Sequence, residues 1–176
     1  HYAKDMKQGS VCIFDKKMQK EFKDKLVLES ILKNAVEEKQ FHLVYQPQFN
    51  AKDKKVRGVE ALLRLKTPAG NDIGPATFIP VIEQMGLMPE LGVWILEQAF
   101  DMRIRAKENY DDDFVISINI SVLQLMQTDF LDIVRGLIEK YNIDTKCLEF
   151  EITESVLITS PEQAAEIVAT LKEWGV

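Results

Sequence analysis

Three separated segments of the chain alternate apolar and polar residues with a period of two. In Val59–Leu65, positions 60, 62 and 64 face one way and 59, 61, 63 and 65 the other. Phe114–Ser121 sets Ser117, Asn119 and Ser121 against Ile116, Ile118 and Ile120. Leu148–Glu154 sets Glu149, Glu151 and Thr153 against Leu148, Phe150 and Ile152. Strict alternation predicts strands. Helical patterns follow the second and third, which suggests a βα series. Parallel strands covered on both faces read as continuous apolar runs, so a polar face on such strands is unusual. One reading is a set of edge strands with one solvated face. The other is that Glu60, Asn119 and Glu151 converge on one site.

The chemistry of the first segment favours a site. A half-buried charge is costly unless it is paired or binds an ion. Strand rise of roughly 3.3 Å per residue keeps Glu60 and Arg64 apart. They are better placed to grip something between them, a cation on Glu60 and an anion on Arg64. Carboxylate and amide oxygens from Glu60, Asn119 and Glu151 suit a hard cation such as magnesium.

The remaining elements follow from periodicity and punctuation. Met18–Lys39 is a helical pattern, clearest at Leu28, Ile31, Leu32, Ala35 and Val36. Phe41–Phe49 and Val56–Leu65 are predicted strands joined by the polar turn 50–55. So short a link implies an antiparallel pair. Pro68–Pro75 reads as a loop, followed by a short helix ending at Gly86. Pro89 opens a helix to about Asn109. Another runs from Thr128 or Asp129 to Tyr141. A strand is expected over 147–153. Ser160 and Gln163 have capping-box spacing around Pro161, and Gly175 fits a helix stop. Helix–strand alternation of this kind argues an α/β fold.

Composition narrows the function. The 176 residues are 46% apolar with a net charge of −6. That supports a core and argues against a nucleic-acid polymer as partner. A small anionic ligand would need local positive charge, and Arg64 is the candidate. Cys12 and Cys147 lie in apolar strand-like runs and read as reduced packing residues of a cytoplasmic protein. His1 and His42 have no metal-ligand spacing. No apolar run approaches 20 residues, so no membrane segment is expected.

Taken in order, Tyr45-Gln46-Pro47, Glu60-Ala61-Leu62-Leu63-Arg64, Gly74-Pro75, Phe78-Ile79-Pro80, Glu83, Gly86-Leu87, Asn119-Ile120-Ser121 and Glu151-Ile152-Thr153-Glu154 resemble the EAL domain, the cyclic di-GMP phosphodiesterase domain of bacterial signalling proteins. Leu65 stands where that family usually has tryptophan. Tyr2-Ala3-Lys4 through Phe14-Asp15 is similar to the tail of a GGDEF domain, with Lys7 where a glycine is usual. The implied organisation is a GGDEF-like tail over 1–15, a linker helix over 16–40 and the N-terminal half of an EAL domain over 41–176.

The resemblance implies the first half of a modified (β/α)8 TIM-type barrel with an antiparallel first strand. It implies metal-dependent hydrolysis of cyclic di-GMP to the linear dinucleotide, with Mg2+ or Mn2+ held by Glu60, Asn119 and Glu151. Glu60, Glu151 and Glu154 would be catalytic, Glu154 by holding a neighbouring loop. Gln46, Leu62 and Arg64 would contact the nucleotide, Arg64 through a phosphate. Active residues of such barrels lie at the C-terminal ends of strands. Arg64, Asn119 and Glu151 do so, while Glu60 is nearer mid-strand. The family's later aspartate pair, lysine, glutamate and glutamine are not among the 176 residues, so this polypeptide alone is expected to be inactive. The alternative is a degenerate module that senses cyclic di-GMP without cleaving it; such modules usually lose a metal ligand, and none of the three is lost here. Half a barrel also leaves an exposed sheet edge, which makes a homodimer an expectation. The expected location is cytoplasmic, including the cytoplasmic part of a membrane-bound sensor.

Overall fold

A computed structural model describes residues 16–38, 40–67, 70, 72–110, 113–153 and 160–176. The segment expected to be a GGDEF-like tail lies outside them, as do Cys12, His1 and Glu154. Helix α1 (Lys16–Glu37) leads into strands β1 (Phe41–Phe49), β2 (Val56–Lys66) and β3 (Asp72–Ile73). Helices α2 (Pro75–Gln84) and α3 (Met88–Ala106) precede strand β4 (Val115–Ile120). A one-turn helix α4 (Val122–Leu125) and helix α5 (Phe130–Tyr141) follow, then strand β5 (Leu148–Ile152) and helix α6 (Pro161–Trp174).

The sheet is mixed, in the order β1-β2-β4-β5, with β3 added to the end of β2. The short turn after β1 does impose an antiparallel β1–β2 pair. The helical crossovers make β2–β4 and β4–β5 parallel. Alternation decides the two faces. Val59, Ala61, Leu63 and Leu65 of β2 and Ile116, Ile118 and Ile120 of β4 are buried. They join one core with Phe78 and Ile82 of α2, Leu96 and Phe100 of α3, and Val134 and Leu137 of α5. The helices therefore cover the apolar face, and the polar face is left for chemistry. Burying one such isoleucine contributes roughly 1.5–3 kcal/mol, so a slip that exposed this row would cost far more than any polar contact on the other side.

The helix ends show why the punctuation was readable. Proline occupies the first turn of α2, α3 and α6, where its missing N–H costs no intrahelical bond. Gly175 closes α6 at φ +96°, a left-handed conformation that glycine adopts without a Cβ penalty. Several expectations are corrected. The capping box at Ser160 does not form: its side chain makes no cap bond, and its carbonyl accepts from the Ala164 N–H instead. The 68–75 loop contains β3, because Leu65 and Lys66 extend β2 far enough to pair with Ile73 and Asp72. Helix α3 stops at Ala106, short of Asn109, and the turn α4 was not foreseen. Cys147 sits in a short 3-10 turn over Thr145–Cys147 before β5 rather than in a strand. It is buried, and its Sγ accepts from an Arg103 guanidinium nitrogen at 3.2 Å. No helix among the described residues is long and apolar enough to cross a membrane.

One close approach sets the β2–β4 spacing. A Cβ at Gly58 would lie 2.1 Å from the Val115 carbonyl oxygen. The obstacle is backbone, so it cannot rotate away, and overpacking of this kind typically costs about 1–3 kcal/mol. Gly58→Ala is expected to lower the urea unfolding midpoint by an amount that corresponds to a free-energy loss in that range. An unchanged midpoint would show that the strands part without cost.

Candidate active site

The functional side chains share the polar face of the sheet, where the register makes Ser117 of β4 the Cα partner of Glu60 and Asn119 reaches Glu60 diagonally. Gln46 of β1 is the Cα partner of Glu60 of β2. Asn119 of β4 is the partner of Glu151 of β5. The Asn119 amide nitrogen donates to Glu60 Oε1 at 2.8 Å. Burial, then the charges of Glu60 and Glu149, push the Glu151 carboxyl above the usual carboxylate range, with Arg57 opposing them. Glu60, Asn119 and Glu151 are thus brought together on one face.

Their chemistry fits a hard divalent cation. Two carboxylates held close enough to raise one of their pKa values favour a positive charge between them. The Asn119 amide now turns its donor to Glu60; the opposite flip would present its oxygen. Among the described residues no three His, Cys, Asp or Glu side chains cluster as a metal site, and the third oxygen here belongs to an amide.

Leu62 and Arg64 lie on the same strand face as Glu60 and are partly buried. The Arg64 guanidinium donates to the Leu63 carbonyl at 2.8 Å. Among the described residues it pairs with no carboxylate, which leaves most of its donors for a ligand. Glu154 lies outside the described residues, so its expected role is not placed.

Sequence reasoning passed over a second polar row. Ser117 was expected on an open polar face with Asn119, yet it is fully buried. Its hydroxyl donates to Glu149 Oε1 at 2.8 Å and accepts from Gln48 Nε2 at 3.2 Å. The other Glu149 oxygen pairs with Arg57. Burial alone would raise the Glu149 carboxyl, but the bonds from Ser117 and Arg57 outweigh it and hold it below its ordinary value. The signal was present in the alternation, since Ser117 and Glu149 each stand two residues before a member of the first row. A cavity of about 380 Å³, lined by Asn50, Asp53, Lys55, Arg57 and Tyr110 among others, opens at the opposite ends of β2 and β4, away from Glu60 and Arg64.

These features define an α/β domain with an oxygen-rich acidic site on the polar face of a mixed sheet. The chain belongs to the EAL domain family, whose model matches residues 29–176. It is 37% identical over 153 residues to the signaling protein YkoW of Bacillus subtilis, covering 86% of this chain and 19% of that protein. It is 31% identical over 176 residues to the bifunctional diguanylate cyclase/cyclic di-GMP phosphodiesterase MucR of Pseudomonas aeruginosa, covering 100% of this chain and 26% of that protein. The solved MucR phosphodiesterase in complex with c-di-GMP superposes with a TM-score of 0.79 at 32% identity, over 85% of this chain and 61% of that one. The chain spans between about a fifth and a quarter of the length of these two curated relatives.

If Glu60 and Glu151 share a site, removing one charge must ease ionisation of the other. Glu60→Gln is expected to bring the Glu151 carboxyl back down toward the usual range. Carboxyl-carbon NMR titration reads this directly, and an unchanged Glu151 titration would show that the two do not interact.

Proposed function

We propose that this domain serves the hydrolysis of cyclic di-GMP at one phosphodiester bond, giving the linear dinucleotide, with Mg2+ or Mn2+ as cofactor. The observation that carries the reading is the convergence of Glu60, Asn119 and Glu151 on the polar face. Those residues would hold the cation, which when bound supplies Lewis acidity and lowers the pKa of bound water. Arg64 offers a planar fork suited to a phosphate oxygen pair. Gln46, across from Glu60, offers an amide to the nucleotide, and Leu62 an apolar contact beside it. Glu154 would hold a neighbouring loop. The core-backed strands fix the spacing of these groups before the substrate arrives.

The mixed sheet, with β1 antiparallel to β2, supports reading the domain as the first half of a (β/α)8 barrel. Likeness to a bifunctional cyclase/phosphodiesterase over the whole chain supports reading residues 1–15 as the tail of a GGDEF-type module and residues 16–40 as the connecting helix. Retention of all three oxygen ligands supports hydrolysis over a module that only senses the nucleotide.

In the protein that carries this domain, Glu60→Gln is expected to reduce cyclic di-GMP turnover by more than about 100-fold, as loss of a direct ligand should exceed the loss from an outer-shell partner. Chromatography of the linear product checks this, and turnover equal to the unaltered protein would overturn the assignment. Absence of turnover in the unaltered protein, with tight nucleotide binding, would identify a sensor. Arg64→Ala is expected to weaken cyclic di-GMP binding by about 1.5–3 kcal/mol, the range for a hydrogen bond to a charged group, with the melting temperature unchanged. Calorimetry that gave the same affinity with a lowered melting temperature would assign Arg64 to structure instead.

A further inference from the structure

Two polar rows lie one above the other on the open face of the sheet. Glu149 stands two residues before Glu151, and their β4 partners Ser117 and Asn119 are offset in the same way. Same-face residues two apart on a strand are separated by roughly 7 Å, so a charge in the lower row is felt in the upper one. Glu149 is gripped from both sides. Ser117, fully buried, donates to Oε1 at 2.8 Å, and Arg57 pairs with Oε2. Gln48 reaches Ser117 from β1, across β2. Its Cα partner on β2 is Gly58, while that of Ser117 is Glu60.

An ordinary surface ion pair would be the bland account, since the Arg57 and Glu149 side chains are 44% and 40% exposed, and exposed pairs contribute little to stability. That account leaves unexplained why the carboxylate is also held by a fully buried hydroxyl, directly beneath a site that must balance two other carboxylates. We propose that the Arg57–Glu149 pair sets the charge balance of the cation site. Held by Ser117, Glu149 offsets the Arg57 charge that would oppose a cation, and Arg57 keeps Glu149 from adding uncompensated negative charge beside Glu151. This rests on the reading of Glu60, Asn119 and Glu151 as the cation ligands.

The test is Mn2+ affinity, measured at pH 8 by electron paramagnetic resonance of the free ion, together with the melting temperature of each variant. Glu149→Gln leaves Arg57 unbalanced and is expected to weaken Mn2+ binding by about tenfold, in line with a unit charge at this separation under partial screening. Arg57→Met leaves the Glu149 charge unbalanced and is expected to tighten binding several-fold. The double variant is expected to return close to the unaltered affinity, and Arg57→Lys to retain it. Opposite signs are diagnostic, because both single changes break the same ion pair and a merely structural brace would shift both the same way. Equal weakening in the two single variants, or no change in either, overturns the proposal. Glu60→Gln is the separate control: if it leaves Mn2+ binding intact, or if the unaltered protein binds none, the cation reading falls and this proposal with it. If Arg57→Met does not fold, Glu149→Gln and Arg57→Lys still decide, since a loss in both would contradict charge balance.

Discussion

Everything at the candidate site depends on the parallel pairing of β4 with β5 in the register that sets Asn119 beside Glu151. Side chains alternate across a strand, so a slip of one residue would bring Glu151 to the helix side and Phe150 to the open side. That slip is opposed mainly by the apolar face. Ile116 and Ile118 are fully buried under the helices and Leu148 nearly so, and no polar contact on the other face approaches their combined contribution. The core therefore sets where Glu60, Asn119 and Glu151 stand, and the two carboxylates are free to repel one another. Burial first, and then the charges of Glu60 and Glu149, hold the Glu151 carboxyl above its ordinary range.

The two faces of the sheet thus divide the work. Helices α2, α3 and α5 bury one face and fix the strands. The other face holds charges that would be unfavourable in a core and are useful on an open surface. Gly58 lets β2 and β4 approach at Val115, so a small residue at one strand position is tied to the spacing of the sheet.

Much of this was legible in the sequence because the strongest signals are local. Period-two alternation in Val59–Leu65, Phe114–Ser121 and Leu148–Glu154 marked three strands and named Glu60, Asn119 and Glu151. Pro89, Pro161 and Gly175 marked helix ends through φ constraints that tertiary packing does not override, whereas Pro75, read as the end of a loop, opens α2. What escaped notice depends on contacts between distant segments. Ser117 is buried by partners 69 and 32 residues away, and Arg57 meets Glu149 across 92 residues. Strand β3 exists only because β2 offers it an edge. The Ser160 capping box failed for a different reason: residue types allow such a bond, but the local backbone decides whether it forms.

The account is tested most directly by anomalous diffraction at the manganese edge from crystals of the domain grown with Mn2+. It predicts a manganese peak on the polar face, within coordination distance, about 2.2 Å, of oxygens from Glu60, Asn119 and Glu151, with the Asn119 amide turned to present its oxygen. A manganese peak bound elsewhere, with Asn119 still donating to Glu60, would contradict it.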